Sequence, residues 1–301
     1  MALPPLLRAL RPIQWVKNLV IAGPLLFVPE GWGLAAAWGR TLEAIGAFCL
    51  LSGATYLFND LIDREADQHH PTKRLRPIAS GAVSTGQARA ALALLLVAGF
   101  AWLWSLDRRP PLPIANAPYL LVVATGLAYV LLTVAYSLAL KRVPVLDVLI
   151  LALGFVLRAA AGAAVLQVEV SPWLLLCTFL LLLMVALGKR RWELESLENA
   201  HAHRASLAHY SLPLIDQFLG IAAAMTLMAY SLYTFNNPRF REPWLMVTIP
   251  FVLYGVMRYL ALIHVHGTGG APEEAILRDK PTLLNLLLWA VAAMVILAVG
   301  R

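Results

Sequence analysis

The sequence is poor in charge: Asp, Glu, Lys and Arg make up 14% of its 301 residues, against about 25% in a soluble domain. Apolar residues make up 60%, against roughly 45–50%. This imbalance excludes a water-soluble enzyme and points to an all-α polytopic membrane protein. Cysteine is scarce too. Cys49 and Cys177 both lie within apolar stretches, where each reads as a small hydrophobe and not as half of a disulfide. A cleaved signal peptide is not expected, because the first apolar run, from Leu19 to Val28, contains Pro24 and no small-residue cleavage site follows it. Short-period repeats and low-complexity tracts are lacking, so residues 1–301 read as one membrane domain.

Long apolar runs are abundant. Nine are predicted as spans, at 14–34, 41–58, 87–106, 117–138, 145–166, 172–188, 213–235, 243–265 and 282–300, each near the 20 or so residues that cross a bilayer. The connections alternate in charge. Arg8, Arg11, Lys17, Lys73, Arg74, Arg76, Lys141, Arg142, Lys189, Arg190, Arg191, Arg204, Arg278 and Lys280 fall on one side, while Arg40, Arg108, Arg109, Arg239, Arg241 and Arg301 fall on the other. The excess of basic residues places the first group and the N-terminus in the cytoplasm and the C-terminus outside, in a multi-pass protein of the cell (inner or plasma) membrane. The net charge of +7 then reflects membrane-side basic residues and anionic lipid or phosphorylated substrate, not nucleic acid. All seven histidines fall on the cytoplasmic side, as do most carboxylates. An active site is therefore expected there, in the loops 59–86 and 188–212. The outer loops, Pro110 to Pro118 and 236–242, are chemically sparse.

The richest segment runs from Asn59 to Pro77. If the second span continues as a helix, Asp60, Asp63 and Asp67 stand at i, i+3 and i+7 on one face. Three carboxylates on one stripe repel each other unless a hard divalent cation sits among them, and Mg²⁺ is commonly held by a few carboxylates together with substrate phosphates. Asn59 is positioned to orient the stripe, and Glu65 lies off it. His70 precedes Pro71, which ends the helix, and Lys73, Arg74 and Arg76 follow at once. Acid suited to metal is thus succeeded by base suited to phosphate.

The segment resembles the NDxxDxxxD motif of the UbiA superfamily of intramembrane prenyltransferases, and its HPxKxxRP extension resembles the decaprenyl-phosphate phosphoribosyltransferase branch. Further stretches are similar to that branch in the same order: Arg11 to Asn18, Tyr136-Ser137 with Lys141, Pro144 to Asp147, Gly154-Phe155 with Leu157-Arg158-Ala159, and Gly188-Lys189-Arg190 with Glu193-Leu194. The resemblance implies nine helices around a cavity open to the cytoplasmic leaflet. It also implies a Mg²⁺-dependent reaction in which polyprenyl phosphate attacks 5-phosphoribosyl 1-diphosphate at the anomeric carbon and releases diphosphate. Aromatic prenyltransferases of this fold carry a second Asp-rich motif after the sixth span. Here Lys189, Arg190 and Arg191 precede any acid in that place, which suits anions.

The resemblance makes Gln14, Lys17 and Asn18 substrate contacts, on a helical face expected to run through Arg11, Gln14, Trp15 and Asn18. Tyr136 and Lys141 stand where a phosphate is reachable, and Glu193 follows the basic run. Asp147 is read as a ribose ligand, with a helix cap as the alternative. Arg158 lies about 13 residues into its span, roughly 20 Å deep at 1.5 Å per residue, and a cation at that depth is functional by default. Lipid phosphate and the backbone carbonyls around Gly162 are both open as its partner. The His201/His203 and His264/His266 pairs lack the companions of a transition-metal site.

The expected activity is transfer of phosphoribose to a decaprenyl-type polyprenyl phosphate. Asp60, Asp63 and Asp67 would hold Mg²⁺, and Lys73, Arg76, Lys189 and Arg190 would place phosphates. The alternatives are prenyl transfer to an aromatic acceptor and, remotely, transport of phosphorylated lipid. Partners are the ribosyl donor, the lipid phosphate and the bilayer; a homo-oligomer is left open.

Overall fold

A computed structural model describes residues 3–70, 72–117, 120–169, 171–196, 205–235, 244–265 and 278–299. The regular secondary structure of the described residues is all helical. Helices α1 (Pro5–Ala9), α2 (Gly23–Leu26), α3 (Ala35–Ile62), α4 (Arg64–Gln68), α5 (Thr85–Asp107) and α6 (Val122–Leu138) are followed by α7 (Leu146–Leu166), α8 (Pro172–Ser196), α9 (Leu212–Phe235), α10 (Ile249–Val265) and α11 (Lys280–Val299). Among these residues, seven helical stretches are long and apolar enough to cross a membrane: 35–62, 85–107, 146–166, 172–196, 212–235, 244–265 and 280–299. Val122–Leu138 is apolar but shorter.

The first apolar run departs from the expected helix. Pro12–Ala22 forms a 3₁₀ helix that continues into α2. A 3₁₀ helix has three residues per turn, so its faces repeat every third position. Burial follows that period: Ile13, Val16 and Leu19 are exposed, Gln14, Lys17 and Val20 are half-buried, and Asn18 and Ile21 are fully enclosed behind half-buried Trp15. The face expected to join Arg11, Gln14, Trp15 and Asn18 is therefore split. Gln14 and Lys17 share one stripe, while Trp15 and Asn18 share another.

The chain divides into two compact units, residues 1–141 with 157–170, and residues 142–156 with 171–301. In the first unit, α3 packs along α5 and α6, burying Phe48, Leu51, Leu103 and Tyr129. Helix α5 starts at a capping box: Gln87 N–H donates to Ser84 Oγ (3.2 Å) and Ser84 N–H donates to Gln87 Oε1 (3.0 Å). Ser84→Ala is expected to cost about 1 kcal/mol of stability, read as a lower melting temperature in detergent. At the far end of α5, Asp107 accepts from the N–H groups of Val122 (2.8 Å) and Val123 (3.0 Å), closing the start of α6. Gly162 in the second half of α7 lies so close to the 3₁₀ segment that a Cβ would overlap the Ile21 carbonyl. Backbone cannot step aside as a flexible side chain can. Gly162→Ala is thus expected to destabilise by about 1–3 kcal/mol.

In the second unit, α8 packs on α9 and α10 on α11, around Met184, Leu187, Ile215, Leu219, Val256 and Tyr259. Asp279 caps α11, accepting from Thr282 N–H (3.0 Å) and from Arg258 Nε (3.0 Å) and Nη2 (2.6 Å). Arg258 and Thr282 hold its carboxyl well below the usual carboxylate range. The stabilisation from this cap is accordingly full above the ordinary Asp pKa and is lost as pH falls through the depressed folded value. Apolar side chains point outward on many helices, including Leu94 and Val97 of α5 and Leu284, Leu287 and Val295 of α11. Helices apolar on all sides suit a hydrocarbon solvent.

Candidate active site

The acidic segment gathers at the end of α3, within the first unit. The uninterrupted stripe expected from the sequence is broken: α3 ends at Ile62, Asp63 stands at the junction, and α4 begins at Arg64. Each of the three carboxylates is paired with a cation. Asp60, 2% exposed, accepts through Oδ1 from Arg11 Nη2 (2.6 Å) and Arg76 Nη1 (3.1 Å). The same Arg76 nitrogen donates to Asp67 Oδ2 at 2.6 Å, so one guanidinium bridges two buried acids. Asp63 turns to Lys141, whose Nζ donates to both carboxylate oxygens at 2.7 Å.

Arg11 reaches Asp60 because its backbone is left-handed (φ 53) just before Pro12 starts the 3₁₀ helix. Its guanidinium also lies 5.1 Å from the centre of the Tyr56 ring. Asn59 is half-buried, and its carbonyl accepts from Asp63 N–H (2.9 Å). His70 Nδ1 accepts from Thr72 N–H (3.2 Å) and Lys73 N–H (3.3 Å), folding the basic run back towards the acids. One oxygen is left over: Asp60 Oδ2 is buried and accepts no hydrogen bond. A buried carboxylate oxygen without a donor is costly. Among the described residues no three His, Cys, Asp or Glu groups converge tightly enough to form a ready metal cage.

Deeper in the same unit, Arg158 is 5% exposed. It donates from Nε to Asn18 Oδ1 (2.7 Å) and from Nη2 to Tyr129 Oη (3.0 Å), with its guanidinium 4.5 Å from the centre of the Tyr129 ring. Ser52 links the two, donating to Asn18 and accepting from Tyr129. Gln14, Lys17 and Tyr136 are half-buried.

The second unit holds its own polar cluster. Asp147, fully enclosed, accepts from Arg190 Nε (2.9 Å) and Ser206 Oγ (3.0 Å) on Oδ2, and from Tyr210 Oη (2.8 Å) on Oδ1. Arg190, 1% exposed, also donates from Nη1 to Glu193 Oε2 (2.7 Å). Burial and the Asp147 carboxylate push the Tyr210 hydroxyl up to about 12, so it stays a donor at physiological pH. Its oxygen accepts from Val145 N–H (2.7 Å), and Val145 is left-handed at φ 67. A β-branched residue in that region is strained, and the Tyr210 bond holds it. Arg191 pairs with Asp216 (2.9 Å) and Glu195 (2.7 Å), and His264 reaches the same Asp216 oxygen (3.2 Å). Lys189 is half-buried. His201, His203, His266 and residues 236–242 lie outside the described residues, apart from which the histidines offer no metal cluster.

A sequence model of the UbiA prenyltransferase family matches residues 20–265, most of the chain, including Asp60, Asp63, Asp67 and Asp147. The chain belongs to the UbiA prenyltransferase family. Within it, the chain is 35% identical over 298 residues to the decaprenyl-phosphate phosphoribosyltransferase of Mycolicibacterium smegmatis, covering 94% of this chain and 89% of that one. It is 33% identical over 299 residues to the enzyme of that name from Mycobacterium tuberculosis, covering 97% and 94%. The fold is shared with a UbiA homolog from Archaeoglobus fulgidus bound to GPP and Mg²⁺, at a TM-score of 0.70, 19% identity, and coverage of 98% and 100%.

Against this UbiA membership, the residues missed in the sequence are instructive. In the sequence Arg11 reads as a cytoplasmic-side basic residue on a helical face and as part of a matching stretch, yet it is a direct partner of Asp60. Tyr129 and Ser52 drew no notice inside apolar spans, although an enclosed arginine nearby demanded neutral acceptors. Ser206 and Tyr210 sit just before α9 with no motif to mark them; the fully enclosed Asp147 is the signal that calls for such donors.

Proposed function

We infer that the protein transfers 5-phosphoribose from 5-phosphoribosyl 1-diphosphate to a polyprenyl phosphate of the decaprenyl type, releasing diphosphate. The observation that carries this reading is the match along nearly the whole length of two decaprenyl-phosphate phosphoribosyltransferases. It is joined by a buried acid cluster interleaved with Arg11, Arg76 and Lys141. A phosphate oxygen of the lipid attacks the anomeric carbon, and the bond from that carbon to the diphosphate oxygen breaks. The nucleophile is already an anion, so no general base is needed.

The residues fit a divalent cation. Asp60, Asp63 and Asp67 offer only hard oxygen donors, and Asp60 Oδ2 is buried with no hydrogen bond to lose. When bound there, Mg²⁺ supplies charge stabilisation for the departing diphosphate, and the Mg²⁺ present in the Archaeoglobus relative supports this assignment. The chain's own cations do the rest. Arg11, Arg76 and Lys141, which neutralise the acids, are placed to exchange carboxylate for phosphate as substrate arrives. Lys73 at the bend after His70 and Asn59 beside Asp60 serve the same end. Gln14 and Lys17 share one stripe of the 3₁₀ helix and orient substrate with Tyr136, while Asn18 holds Arg158 for an anionic group.

In the second unit, Lys189 is the phosphate-binding member of its basic run. Arg190, tied to Asp147 and to Glu193, fixes the helix turn that carries Lys189. Lys189→Gln is expected to raise the KM for a phosphorylated substrate roughly 10- to 150-fold, the value of one charge-assisted hydrogen bond of about 1.5–3 kcal/mol, with the melting temperature unchanged. Steady-state kinetics against each substrate in turn checks this.

The nine-span count is part of the same reading. The 11 residues of Pro12–Ala22 rise about 2.0 Å each and α2 adds four at about 1.5 Å, close to the 30 Å or so of hydrocarbon. Val122–Leu138 is the other short crossing. With the N-terminus inside, the acid cluster faces the cytoplasm. A cysteine at Gln68 is then expected to react with an impermeant maleimide from the cytoplasmic side, and one at Arg108 from the outer side. Reaction of both from one side contradicts the orientation.

A further inference from the structure

The end of the acidic segment hides a second feature that the transfer reaction does not use. A cavity of about 560 Å³ lies between the end of α3, α4 and the start of α5. Phe58, Leu61 and Leu92 form its apolar wall, and Arg64, Glu65 and Arg89 its polar one. Arg64 and Arg89 are both exposed, and among the described residues neither side chain forms an ion pair, unlike the arginines of the acid cluster. Two solvated cations with no protein acid paired to them, at the rim of an apolar cavity, suit an anion that carries its own apolar part.

We propose that this cavity binds one anionic phospholipid, its phosphodiester on Arg64 and Arg89 and an acyl chain against Phe58, Leu61 and Leu92. On the nine-span reading above, α3 and α5 leave the bilayer at this end, which puts the cavity at headgroup depth. Beyond Leu92, α5 continues the apolar track with Leu94 and Val97, both 69% exposed. A soluble anion would use the two arginines and ignore this track. The side-chain charges at the rim, two positive and one negative, sum to one positive. That complements a headgroup of charge −1 better than a zwitterion. Glu65 accepts from headgroup hydroxyls, which makes phosphatidylglycerol the best match.

Native mass spectrometry of the full-length protein, exchanged into micelles doped with phosphatidylglycerol or phosphatidylethanolamine, tests the proposal. The expected result is one retained phosphatidylglycerol per chain, at least roughly tenfold preferred over phosphatidylethanolamine and not displaced by millimolar inorganic phosphate. In the Arg64→Gln/Arg89→Gln double variant this adduct falls at least about tenfold, while Arg108→Gln, at the opposite end of α5, retains it. Equal retention of the two lipids by the wild-type chain, displacement by inorganic phosphate, or an unchanged adduct in the double variant overturns the proposal. The lipid comparison uses the unmodified protein, so it decides the matter even if the double variant does not fold.

Discussion

Asp60→Asn is expected to slow phosphoribosyl transfer by on the order of 10²–10³-fold while leaving the protein folded. The size follows from the position of Asp60 at the centre of the cluster. Its Oδ1 already holds Arg11 and Arg76, and its Oδ2 is the one buried oxygen there without a donor. Asparagine keeps the volume and can still accept from the two arginines through its amide oxygen. Because Arg11 and Arg76 are partly exposed, losing the negative charge costs little stability. What is lost is the hard, charged ligand. Asp63→Asn should act similarly, releasing Lys141 as well. Glu65→Gln, on the far side of α4, should change turnover by less than about twofold. Equal losses at all three positions would show that general acidity of the loop, and not this cluster, matters. Initial rates over a Mg²⁺ titration, with a melting curve for each variant, give the comparison.

The second large effect is on stability and lies in the other unit. Asp147→Ala is expected to destabilise the protein by about 3–5 kcal/mol, because it strands the Arg190 charge at 1% exposure together with the Ser206 and Tyr210 hydroxyls. It also removes the support by which Tyr210 holds Val145 at φ 67. The Asp147→Leu/Arg190→Met double variant removes both charges and should melt above Asp147→Ala. Thermal unfolding in one detergent resolves the order; a single variant as stable as the parent would mean that the network is slack. In the sequence Asp147 reads as a ribose ligand or a helix cap; we propose that it also positions Arg190.

How much of this was legible in the sequence depended on the distance over which a signal acts. Composition and apolar run length placed the helices, since burial in lipid is decided residue by residue. The acids, Arg76, Lys141, Asn18 and Arg158 all stood out as polar groups in or beside apolar stretches. Their pairing did not. Arg11 to Asp60 and Lys141 to Asp63 join residues 49 and 78 positions apart, and local periodicity carries nothing over such separations. The break at Asp63 was hidden because an i, i+3, i+7 pattern looks alike whether or not the helix pauses within it. The 3₁₀ segment is hidden for a related reason: its apolar residues, Ile13, Trp15, Val16, Leu19, Val20 and Ile21, fit a period of 3.6 as readily as the period of three that burial shows.

The transfer itself is tested most directly by the fate of the ribose. Purified protein incubated with Mg²⁺, polyprenyl phosphate and 5-phosphoribosyl 1-diphosphate labelled in the ribose ring should move label into the organic phase, in amounts matching the diphosphate released. No transfer of label with any polyprenyl phosphate, together with prenylation of an aromatic acceptor from a prenyl diphosphate, would contradict the assignment.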